Sequence, residues 1–139
     1  MKTLPEWSTQ YAVGVPELDE QHARLFSIAR RLIDACGDEK PDTRLLGILT
    51  ELKDYTLYHF RKEEEVMAAA GYKGLEYHRQ MHEFMAARLD FLTKQLRHGL
   101  LEKNELIEFM ESWLTEHIIM EDMRYIPAVT AAEFDKGYP

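Results

Sequence analysis

At 139 residues the chain is one domain's worth, and 45% hydrophobic with 30% charged residues is the balance of a globular fold rather than a disordered one. Its net charge of −8, from Lys+Arg 17 against Asp+Glu 25, argues against nucleic-acid partners and anionic membrane surfaces, which both require a basic face. The single cysteine, Cys36, excludes an internal disulfide and a four-thiolate metal site, and no apolar stretch suits a signal peptide or membrane insertion, so a cytoplasmic protein is expected.

Glycine and proline fall as punctuation between helical periodicities. Pro16 suits the first turn of a helix with Leu18, Leu25, Ala29, Leu32 and Cys36 on its apolar face, closed by Gly37. Pro41, Asp42 and Thr43 open a second, which carries Leu45, Leu49, Leu52, Tyr55 and Val66 as far as Gly71. Gly74 precedes a third, with Leu75, Met81, Met85, Leu89, Leu92 and Leu96 ahead of Gly99. Asn104 is the expected N-cap of a fourth, with Ile107, Met110, Trp113 and Leu114 inward, and Pro127 disfavours helix at Ile126.

No segment alternates with period two, so strands are not expected. The breaks are short, which makes sequential helices antiparallel neighbours. The expected fold is all-α: an up-down-up-down four-helix bundle forming a single domain over 1–139. An extended N-terminal arm covers about residues 1–16, the bundle about 17–126 and a short tail 127–139. Trp7 and Tyr11 are expected to pack the arm, and the tail has room for one short helix.

The histidines are the informative residues. His22, His59, His78, His82 and His117 each share a face with the apolar stripe of their helix, whereas His98 lies in a polar stretch at a helix end. A lone histidine on an apolar face is ordinarily a hydrogen-bonded core residue. Five from all four helices are different, because burying them unpartnered would cost a few kcal/mol each in a domain stable by only about 5–15 kcal/mol. A metal takes up their lone pairs. Glu63, four residues after His59, is the member of the charge run 61–65 that faces the same row. On the fourth helix, i+4 spacing from His117 favours Glu121. Asp122 at i+5 lies about 140° round an α-helix and reaches inward only if the last turn is distorted.

Five imidazoles and two carboxylates exceed one ion and suit a pair of ions bridged by the carboxylates. Ligand type alone does not name the metal. In order and spacing, Asp19-Glu20-Gln21-His22, His59-Phe60-Arg61-Lys62-Glu63, His78-x-x-x-His82 and His117-x-x-x-x-Asp122 resemble the hemerythrin signature, over a stretch from about Trp7 to Tyr125. The length looks like that of a stand-alone bacteriohemerythrin.

The resemblance implies two iron ions in an oxo- or hydroxo-bridged di-iron centre, and it selects Asp122 over Glu121. Glu63 and Asp122 would bridge; His78, His82 and His117 would hold one iron, and His22 and His59 the other. The second iron would then be one ligand short of six, and dioxygen would bind there.

The implied function is reversible dioxygen binding for carriage, storage or delivery, without catalysis. The alternatives are an oxygen or redox sensor acting on a partner in trans, and an enzyme scavenging peroxide or nitric oxide. The seven methionines read as core filler and Cys36 as a small buried residue.

Overall fold

The computed structural model describes residues 7–8 and 11–135, without the side chains of 115, 119–121 and 132–135. Helix α1 spans Pro16–Ala35, α2 Thr43–Ala69, α3 Leu75–Arg97 and α4 Lys103–Ser112. The last continues as a π-helix over Trp113–Glu121 and a 3₁₀ turn over Asp122–Tyr125, and α5 follows at Ile126–Asp135. There is no strand among the described residues. The architecture is the expected four-helix bundle, and no described helix is long and apolar enough to cross a membrane.

Local chemistry sets the ends of these helices. Pro16 occupies the first turn of α1, where its missing N–H leaves no hydrogen bond unmade. Asp19, one turn in, accepts from the backbone N–H groups of Val13 at 2.6 Å and Gly14 at 3.3 Å, tying the arm to the helix. Gly71 and Gly99 take positive φ, 67° and 71°, immediately after α2 and α3. Each lets the next residue bond back into the last turn, Tyr72 N–H to Met67 O at 3.0 Å and Leu100 N–H to Gln95 O at 2.8 Å. Asn104 is not a cap. The fourth helix starts one residue before it, with Glu102 at the N-cap position and no side-chain cap bond.

The inward faces form one continuous core that includes Leu25, Leu32, Leu49, Leu52, Leu89, Leu92, Leu106 and Met110. A fully buried Leu contributes about 1.5–3 kcal/mol relative to an exposed one, so this row dominates what holds the bundle together. Trp7 lays the arm against it, its ring centroid 5.6 Å from Phe26 and 5.9 Å from His22. A smaller cluster closes the other side of the histidine layer. Val13 and Leu18 meet Met67, Tyr125 and Val129 there, so α5 packs back onto the bundle. Pro127 sits in the first turn of α5, an N-terminal position that proline tolerates.

Candidate metal centre

All seven residues selected from the sequence are buried and brought together: His22 from α1, His59 and Glu63 from α2, His78 and His82 from α3, His117 and Asp122 from the fourth helix and its end. His98 caps the end of α3 and is exposed. The i,i+4 pairs on α2 and α3 need only ordinary helix geometry. His117 and Asp122 need something else. The backbone N–H of Asp122 bonds to the carbonyl of His117, an i→i+5 link that widens the turn and brings residues five apart onto one face. The π-helical stretch is thus the distortion that Asp122 requires. The side chain of Glu121, the alternative, lies outside the described residues.

The carboxylate oxygens divide the histidines into two sets. Glu63 Oε1 lies 3.2 Å from His78 Nε2 and 2.9 Å from His82 Nε2, while Oε2 lies 3.2 Å from His22 Nε2 and 3.4 Å from His59 Nε2. Asp122 repeats the division. Its Oδ1 faces His78 Nε2 at 2.8 Å and His117 Nε2 at 3.1 Å, and its Oδ2 faces His22 Nε2 at 3.1 Å. Two overlapping donor groups result, Glu63, His78, His82, His117 and Asp122 in one and His22, His59, Glu63 and Asp122 in the other. Within each, the ligand atoms lie within 4.8 Å of one another.

A cation fits these donors better than hydrogen bonding does. Nε2 of His59, His82 and His117 and both oxygens of Asp122 are buried and make no hydrogen bond, although oppositely polar atoms stand near. Atoms close together at angles that preclude hydrogen bonds, with lone pairs converging, are costly unless a shared ion accepts them. Neutral imidazoles with carboxylates suit a borderline transition metal and allow iron.

Several side chains hold the clustered residues in place. His59 Nδ1 faces Gln21 Oε1 at 2.7 Å, and His82 Nδ1 faces Glu64 Oε2 at 2.8 Å. In both pairs the acceptor oxygen fixes the proton on Nδ1 and leaves Nε2 free to ligate. Tyr125 donates its hydroxyl to Glu63 Oε2 at 3.0 Å. Phe60 stacks on His82 with centroids 3.8 Å apart and planes 5° from parallel.

The sequence marks neither Gln21 nor Tyr125, and Glu64 is one member of the charge run 61–65. The available signals are positional: Gln21 precedes His22, Glu64 follows Glu63, and Tyr125 comes one 3₁₀ turn after Asp122.

Without metal, the two buried carboxylates act on the imidazoles. Burial opposes the charged form of His22, but the carboxylates of Asp122 and Glu63 beside its ring outweigh that cost and push the pKa up to about 10. The same balance pushes His78 up to about 9. His59 goes down, because burial prevails over the attraction of Glu63. Burial also works against ionised Glu63 and Asp122, yet surrounding imidazoles keep both below the usual carboxylate range. Burial and the two carboxylate charges raise the Tyr125 phenol, so it remains a proton donor to Glu63.

The family model described as "Hemerythrin HHE cation binding domain" matches residues 13–129. A bacteriohemerythrin of Clostridium acetobutylicum is 30% identical over 126 residues, covering 86% of this chain and 97% of the relative. Myohemerythrin-1 of Phascolopsis gouldii is 33% identical over 125 residues, covering 88% and 94% respectively. A crystal structure of wild-type hemerythrin superposes with a TM-score of 0.84 at 26% identity, covering 92% of this chain and 99% of that one. Agreement of family model, relatives and bundle over the same stretch of sequence places the chain in the hemerythrin family.

Proposed function

We propose that this chain is a non-haem di-iron protein that binds dioxygen reversibly, for carriage, storage or delivery. The observation that carries the reading is the division of Glu63 and Asp122 between three histidines on one side and two on the other. When bound there, a pair of iron ions would supply two electrons and, beside the smaller histidine set, a coordination position for a small ligand. His78, His82 and His117 would hold one ion, His22 and His59 the other, and Glu63 and Asp122 would bridge them.

The remaining side chains favour binding over turnover. The centre's own carboxylates are committed as ligands, and Tyr125 pins one of them through its hydroxyl. Gln21 fixes the ring of His59 on the two-histidine side. Trp7 lies against His22 on that same side. Phe60, Trp113, Leu114 and Ile118 are buried in one cluster and contribute apolar wall. Such a wall keeps water and stray protons from a bound ligand, a condition for releasing it unchanged.

The test is an oxygenation cycle. Anaerobically reduced, iron-loaded protein should develop a visible charge-transfer band on exposure to oxygen, lose it on argon flushing, and regain it on re-exposure. Direct conversion to the oxidised form, with no oxygenated intermediate on a stopped-flow timescale, would contradict reversible binding and favour a sensor or scavenging enzyme.

A further inference from the structure

We propose that Glu64 is a positioning residue for the three-histidine metal position, making the two positions unequal in charge as well as in histidine number. The inference rests on the functional reading above. Glu64 Oε2 stands 2.8 Å from His82 Nδ1, and its other oxygen accepts from Arg79 Nε at 3.1 Å. Arg79 in turn reaches Glu76 Oε2 through Nη1 at 3.4 Å. His82 is therefore the buried end of a charged chain, His82–Glu64–Arg79–Glu76, that runs to solvent beside a groove of about 400 Å³ between α2 and α3.

The two-histidine side is built differently. The partner of His59 Nδ1 is Gln21, a neutral amide that is itself buried, at 2.7 Å. Both acceptors fix the same imidazole tautomer, but they do not supply the same charge. A hydrogen bond to an ionised acceptor is roughly twice as strong as a neutral one, and a carboxylate behind an imidazole raises the basicity of its ligating nitrogen. Glu64 thus strengthens His82 Nε2 as a donor and favours the more highly charged state of whatever cation it holds. Gln21 orients His59 without that bias. The ion with more histidines is therefore also the one with anionic support behind a ligand, which leaves the other as the exchangeable position.

The experiment compares iron-loaded wild type with Glu64→Gln and Gln21→Glu. Glu64→Gln keeps an acceptor oxygen for His82 Nδ1 and removes only the charge. It should speed loss of the second, more slowly released iron to a chelator by about 10-fold to 100-fold and raise the midpoint potential of the centre. Gln21→Glu should lower that potential, which tests the same argument from the other side should the first variant fold poorly. A purely structural role for Glu64 would destabilise the fold and leave the potential unmoved. A wild type holding two irons, with both variants matching it in chelation rate and potential, overturns this proposal alone. A wild type that holds no pair of irons overturns the functional reading, and this proposal with it.

Discussion

Asp122 acts through both of its oxygens, Oδ1 toward His78 and His117 and Oδ2 toward His22, so its loss should empty two positions rather than weaken one. Asp122→Ala should strip most of the iron from purified protein by metal analysis, whereas Glu121→Ala should leave the content near wild type. The reverse ranking would show that the ligand is the residue at i+4. The imidazoles carry a pH signature of their own when metal is absent. His22 and His78 are raised from 6.5 to about 10 and about 9, so each binds its proton more tightly folded than unfolded. Their contribution to stability is complete below 6.5 and is lost as pH rises through those folded values. His59 acts in the opposite sense, its lowered pKa costing stability below 6.5. The metal-free protein should therefore have a lower denaturant midpoint at pH 10 than at pH 7, and metal uptake should release protons. A midpoint that rises over that interval contradicts the assignment of protons to the cluster. The clustering of the seven residues was legible because five histidines on apolar faces had no inexpensive alternative. Gln21, Glu64 and Tyr125 were not, because a side chain that braces another looks in sequence like any polar neighbour.

The stretch Trp113–Glu121 is where regular helix geometry gives way. In an α-helix the carboxylate at i+5 from His117 turns away, and that argument holds as far as the helix is α. The π-helical turn removes the premise by linking the Asp122 N–H to the His117 carbonyl. Its i→i+5 hydrogen bonds are rarely sustained and occur mostly at functional sites, so metal ligation at His117 and Asp122 should help to hold it. Amide hydrogen exchange should accordingly slow more in 113–125 than in α1 or α3 when iron is added to metal-free protein. Uniform slowing along all helices would show that the distortion stands without the metal. The π-turn was hidden from sequence because its residues are ordinary helix formers, and only the position of the acid among them betrays it. The misplaced Asn104 cap has a plainer cause. Capping preference is a weak signal, and the helix begins one residue earlier without any side-chain cap.

Across the whole molecule, four antiparallel helices bring together residues as distant in sequence as His22 and Asp122. That architecture was legible from the spacing of glycines and prolines and from the 3.6-residue periodicity, since short breaks between amphipathic helices leave little freedom of topology. The return of α5 onto α2 was less legible, because its contribution to the second core comes from single residues such as Val129 rather than from a stripe. On the proposed reading, two unequal metal positions share Glu63 and Asp122. An anomalous difference map at the iron absorption edge, from crystals of the iron-loaded protein, would locate both ions. Two peaks are expected between the same two carboxylates, one contacting His78, His82 and His117 and the other His22 and His59. A single peak, or a pair that leaves Asp122 or either histidine set without contact, would contradict that reading.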